Sequence, residues 1–220
     1  MKQTGDYPGQ HHWLELDNNP KPNYIEQIEK EKIVWGNLAL SCQFAIADIG
    51  LYVNAPSPFI SEGSRYLLAL LNSAISDYYI RSLGVTRNGG YFEYKPMFVE
   101  KLPVPQLQPQ EQKVYTHLAD YVLILTKHGK KLQSAFFEQL IDALVYELYF
   151  SEELKIAGKE ILRHLGNLKP VSESMTDAEK LTLIQSEFDR LYDPNHPVRN
   201  NIETLDSVEE VRIIREALKR

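Results

Sequence analysis

A change of texture near Pro105–Pro109 constrains the fold more than any other feature of the chain. Upstream, short β-branched and aromatic runs are separated by Gly and Pro. Downstream, apolar residues recur at helical spacing almost without a break. In the upstream part, Met1–Pro22 reads as irregular, with a short strand at His12–Leu16. Lys32–Leu40, Gln43–Ala47 and Leu51–Asn54 read as strands. Asp48-Ile49-Gly50 and Asn54-Ala55-Pro56 supply the turns between them. Ser64 is expected to open a helix reaching about Leu83, with Leu67, Leu68, Leu71, Ile75, Tyr78 and Tyr79 on one stripe. Val85–Tyr94 is a loop whose Asn88-Gly89-Gly90 permits positive φ. Pro96–Glu100 suits a helical turn, and Leu102–Pro105 an extended exit.

Downstream, the spacing predicts helices over Gln110–Leu132 and Ser134–Phe150, then one from an N-cap at Ser151 to about Leu165. Thr176-Asp-Ala-Glu179 is a capping box for a helix to about Tyr192. Asp206 or Ser207 caps a last helix, Val208–Leu218, with Pro194 and Pro197 punctuating the stretch before it. The expected fold is therefore α+β. Residues 1–108 form a mixed strand and helix domain, and residues 109–220 a helical spacer and C-terminal helical region.

The totals exclude several classes of function. Cys42 stands alone, so no intrachain disulfide is possible. Met1–His12 is polar, and the longest apolar runs, such as Tyr121–Leu125, fall far short of the ~20 residues of a membrane helix. These features point to a soluble cytoplasmic protein without a membrane partner. The net charge is −6, and both halves share it: residues 1–105 carry 9 Lys/Arg against 11 Asp/Glu, and residues 106–220 carry 15 against 19. A nucleic-acid surface must then be a local patch. No phosphate-binding glycine motif is present, the histidines are dispersed, and no Cys pair exists, so no metal site is expected.

Two arrangements could carry chemistry. Asp77 precedes Glu93-Tyr94-Lys95, and two carboxylates with a nearby lysine are how many nucleases hold Mg²⁺ and steady the attacking water. The bland alternative is a solvated face beside a loop. The second is the stretch Arg81–Lys95. Its Arg81, Arg87, Asn88 and Lys95 are donors suited to phosphates or purine edges. Gly89 and Gly90 let the backbone approach another surface, and Tyr91 and Tyr94 can stack. From the residues alone, a binding loop and a plain connector stand level. A helical assembly module without a DNA role also fits, and the acidity favours it.

From about Tyr24 to Pro105 the chain resembles the TaqI-like C-terminal specificity domain of adenine-specific DNA methyltransferases and of fused type II restriction–modification enzymes. The stretches that carry the resemblance are Glu31-Lys-Ile-Val-Trp35, Gly50-Leu-Tyr-Val-Asn54, Tyr66-Leu-Leu-Ala-Leu-Leu-Asn-Ser73, Gly89-Gly90 with Tyr94-Lys95, and Phe98-Val-Glu-Lys-Leu-Pro-Val-Pro105. The last is similar to the Leu-Pro-x-Pro exit of specificity subunits, where a spacer helix with an early Glu-Gln follows; Glu111-Gln112 stands in that place. Leu140–Tyr149 is similar to the helix that closes such enzymes, so the resemblance spans roughly residues 13–150. It implies a target-recognition module that binds double-stranded DNA. The family's base-contacting residues vary with target sequence, so the candidate contacts remain those read from the loop itself, Arg81, Arg87, Asn88, Gly89, Gly90, Tyr91, Tyr94 and Lys95. The family's catalytic Asn/Asp-Pro-Pro-aromatic motif is not matched, since Asn18-Asn19-Pro20-Lys21 lacks the second proline and the aromatic. No catalytic residue and no cofactor are therefore assigned to this chain. S-adenosylmethionine would sit in a methyltransferase domain or subunit, with a nuclease domain as a further partner.

Overall fold

The computed structural model describes residues 21–54 and 56–219. The strand expected at His12–Leu16 lies outside the described residues. The architecture is α+β, with small antiparallel sheets packed into a predominantly helical body. A short helix α1 (Pro22–Ile28) leads into β1 (Lys32–Val34), which is the centre of a sheet of order β3-β1-β4, where β3 is Ala45–Ala47 and β4 is Phe59–Ser61. Ile33 faces Ile46 on one side and Ile60 on the other and is fully buried. Lys32 is buried too, and its ammonium donates to the carbonyls of Leu51 (2.8 Å) and Asp48 (3.4 Å). The amine thereby satisfies the turn at Asp48-Ile49-Gly50, where Gly50 adopts φ +81°.

Several expected elements differ. The run Lys32–Leu40 is two strands, because the chain leaves the first sheet at Trp35-Gly36-Asn37. The Trp35 indole donates to the Tyr94 carbonyl (2.6 Å), and Tyr94 N–H donates to Asn37 O (2.8 Å). β2 (Leu38–Ala39) then pairs with β5 (Phe92–Glu93). No strand forms at residues 51–54. The third strand of the first sheet is β4, the first β-forming run beyond Pro56 and Pro58, which lack ladder donors.

The helix expected from Ser64 to Leu83 is also two, α2 (Arg65–Leu71) and α3 (Ala74–Leu83). Ser64 caps the first by accepting from Leu67 N–H (3.1 Å). Ser73 starts the second: its hydroxyl accepts from Ser76 N–H (3.3 Å) and donates to Leu70 O (2.7 Å). Between them Asn72 exchanges two hydrogen bonds of 2.9 Å with the Phe44 backbone. Local side-chain bonds thus outcompete the continuing backbone ladder. Of the expected stripe, Leu68, Leu71 and Ile75 are buried, while Leu67, Tyr78 and Tyr79 are partly so.

After α4 (Pro96–Val99), the extended exit is held from both sides. Tyr66 OH donates to Pro105 O (2.8 Å), and Tyr149 OH to Pro103 O (2.6 Å). Helices α5 (Pro109–Lys127) and α6 (Lys131–Tyr149) form an antiparallel pair on which α2 packs. Arg65 of α2 spans the two parts, pairing with Glu31 (2.9 Å) and with Asp120 of α5 (3.2 Å). The single helix expected over residues 151–165 is broken at Gly158 (φ +65°) into α7 (Ser151–Ile156) and α8 (Leu162–Leu165). Phe150, not Ser151, holds the cap position.

The capping box at Thr176 is present and opens α9 (Asp177–Leu191). One helix outside the expected set, α10 (Pro197–Glu203), begins at Pro197. A proline at the first helical position forfeits only a donor that has no intrahelical partner. The last helix, α11 (Glu209–Leu218), packs on α3, so the C-terminal part returns to the first. Buried apolar residues of both parts form one continuous cluster. No helix among the described residues is long and apolar enough to cross a membrane.

Candidate functional site

The loop between α3 and β5 is built on a buried frame. Asp77, in the first turn of α3, accepts from the Arg81 fork (Nε 2.9 Å, Nη2 2.7 Å) and from the Tyr94 hydroxyl. Asp77 and Arg81 side chains are only 10% and 12% exposed. Arg81 also donates to Leu40 O (2.7 Å) and lies over the Phe92 ring at 4.3 Å from its centre. Tyr94 is 1% exposed, and burial keeps its phenol protonated well above the usual tyrosine range. Gly84 closes α3 where an added Cβ would stand 3.0 Å from the Glu93 carbonyl, so helix and strand approach closely there.

Above this frame the loop turns back on itself. Arg87 N–H donates to Tyr91 O (2.7 Å), and Gly90 N–H to Arg87 O (3.3 Å). A single 3-10 turn at Asn88–Gly90 places Gly89 at φ +80° and Gly90 at φ +79°, in the left-handed region that favours glycine. Asn88, Gly89, Gly90 and Tyr91 are exposed.

Glu93 organises the two flanking cations. Its side chain is 4% exposed, while those of Arg87 and Lys95 are 54% and 43% exposed. One carboxylate oxygen accepts from Arg87 Nε (2.6 Å), and the other pairs with Lys95 Nζ (3.0 Å). The hydrogen bonds from Lys95 and Arg87 hold this carboxyl below its ordinary range. The result is two surface cations pinned on one inward carboxylate, a fixed local excess of one positive charge.

The structure thus gathers Arg87, Asn88, Gly89, Gly90, Tyr91 and Lys95 on one exposed loop and its base. Arg81 and Tyr94 are not with them. They belong to the frame beneath, where the Asp77 ion pair and the core enclose them. The Asp77, Glu93 and Lys95 set is likewise divided: Asp77 is neutralised by Arg81, and Glu93 by Arg87 and Lys95. No group of three His, Cys, Asp or Glu residues suited to a metal occurs among the described residues.

Two residues of the site went unnoticed in the sequence. Leu38 and Leu40 of the β2 segment are each 54% exposed on either side of the buried Ala39, and Leu38 pairs with Glu93. The period-2 signal was there in Leu38-Ala-Leu40. It is inverted, with the large residues facing outward, so a rule that puts leucines inside misreads it.

Residues 4–104 match the family model of the TaqI-like C-terminal specificity domain. That description is of a specificity domain and not of a catalytic one. No curated protein matches the chain.

Proposed function

We propose that residues 1–108 are the DNA target-recognition unit of a restriction–modification enzyme, and that residues 109–220 brace it as a spacer and helical support. The unit reads double-stranded DNA in the cytoplasm for a methyltransferase domain or subunit. That partner holds S-adenosylmethionine and methylates adenine, and in fused enzymes a nuclease domain acts at the same site. One observation carries the reading beyond the family match over residues 4–104: the Arg87–Lys95 loop presents exposed donors, an exposed tyrosine and two left-handed glycines on a rigid buried base. Preorganised cations lose less side-chain freedom on meeting a phosphate or a base edge. The carboxylate between them limits the patch to a modest positive field. Affinity from charge alone is then weak, and discrimination must come from contacts made at short range.

The experiment is a titration of a duplex by the intact chain across a range of salt. Each lost phosphate contact should lower the slope of log K against log salt by about 0.9. Arg87→Ala is expected to do so, or else to relax specificity at one base pair. Lys127→Ala, on α5 and paired with Asp177, should do neither. The net charge of −6 favours a helical assembly module instead; equal and small effects of both substitutions would support that reading and make the loop a connector.

A further inference from the structure

A second concave site lies where the two parts meet. The segment between β2 and β3, α2, α5 and α6 enclose a cavity of about 530 Å³, within the range of small-molecule sites. Much of its wall is apolar, including Phe44, Leu68, Val122, Leu123 and Ile141; Cys42, Gln43, Asn72 and Thr126 are neutral polar lining, and the charged lining is acidic. Glu138 and Asp142, one turn apart on α6, both face it, and no Lys, Arg or His is among its lining residues. Glu138 accepts from Ser134 Oγ (2.9 Å) at the outer edge. Asp142 lies deeper, and its Oδ1 accepts from Ala74 N–H (2.7 Å) at the start of α3. Asp142 is partly buried, and its Oδ2 has no hydrogen-bond donor among the described residues and keeps some contact with solvent.

We propose that this cavity is a binding site for an organic ammonium ion carrying an apolar body, with the ammonium on Asp142. The site stands independently of the DNA-recognition reading. An apolar wall rewards burial of hydrocarbon by about 25 cal/mol per Å². A carboxylate half-withdrawn from water beside apolar walls is strengthened as an acceptor, and a cation brought by the ligand gains from pairing with it. Burial pushes the Asp142 carboxyl up to about 7, with Glu138 and Asp77 adding to the rise. The Ala74 N–H and Arg215 of α11 oppose it, and the neighbouring Tyr146 is itself held protonated by burial. Ammonium binding selects the ionised carboxylate, so affinity is full above about pH 7 and falls as pH drops through that value. A bound ligand would touch α2 and the β2–β3 segment on one side and α5 and α6 on the other, and so fasten the recognition part to the helical part.

The test titrates the intact chain with 4-phenylbutylammonium and with its neutral counterpart 4-phenylbutanol, following heat and the methyl resonances of Leu68, Leu123 and Ile141. At roughly pH 8 the ammonium should bind about tenfold tighter than the alcohol and shift those methyls. Lowering the pH to about 5.5 should weaken it about sevenfold, to near the affinity of the alcohol, which itself changes little, since the amine stays charged throughout. Asp142→Asn keeps an acceptor for Ala74 N–H and should bring the two probes within about twofold. Equal binding of both probes to the unaltered chain, no binding by either, or shifts confined to other methyls would overturn the proposal. If Asp142→Asn fails to fold, the comparison of probes and the pH series on the unaltered chain decide it.

Discussion

Replacing Asp77 by alanine should lower the free energy of unfolding by about 3–5 kcal/mol. Both partners of the Asp77–Arg81 pair are almost fully enclosed, so the loss is not a surface ion pair's fraction of a kcal/mol. The substitution strands a guanidinium in the core and takes away the acceptor of the buried Tyr94 hydroxyl. Because Tyr94 also anchors Trp35 and Asn37 through its backbone, the damage should spread from α3 to the turn between the two sheets. Urea unfolding of both proteins at one pH and salt concentration measures it. A loss below about 1 kcal/mol would mean that the pair is open to water and the loop has no rigid base. The same variant separates structure from chemistry: a normally stable Asp77→Ala protein that had lost Mg²⁺-dependent DNA cleavage would make Asp77 a nuclease ligand instead.

Leu71→Ala should cost about 2–5 kcal/mol, from lost transfer energy and the cavity left behind. Leu71 is 1% exposed at the end of α2, the helix that meets α5, and the break at Asn72–Ser73 leaves little slack for collapse. Leu67, one turn earlier, is only partly buried and should lose less than half as much on the same substitution. A shift of the denaturant midpoint that is equal for both would mean that Leu71 is no more enclosed than Leu67.

The helical part was legible because its signals are long and local. The apolar repeats of α5 and α6 each persist for 19 residues, and the Thr176–Glu179 box is complete within four residues. The strands were legible only in part: β1, β2 and β3 lie within the expected runs Lys32–Leu40 and Gln43–Ala47, whereas β4 and β5 lie outside every expected run. No strand among the described residues exceeds three residues, and each pairs with segments well separated in sequence. Periodicity needs more repeats than these strands contain. The break at Ser73 hid for the opposite reason: the apolar stripe runs on from Leu71 to Ile75 as if the helix continued, and only a hydroxyl and an amide side chain redirect it.

In the site, glycines and positive φ were readable from Asn88-Gly89-Gly90 alone. The inward turn of Tyr94 was not, because a tyrosine in a Gly-rich loop has the same composition whether it faces DNA or the core. Its direction is set by Asp77, 17 residues earlier. In the sequence Glu93 fits the alternative nuclease pattern, whereas its carboxylate is the clamp between Arg87 and Lys95.

Sequence reading by the Arg87–Lys95 loop is tested by selecting duplexes from a random-sequence pool with the intact chain and again with Arg87→Ala. The expected result is an enriched sequence for the unaltered protein. In the variant, either preference should relax at one base pair by about 1–3 kcal/mol and stay unchanged elsewhere, or it should hold while the salt slope of binding falls by about 0.9. No enrichment by the unaltered chain, or an unchanged preference together with an unchanged salt slope after Arg87→Ala, would contradict it.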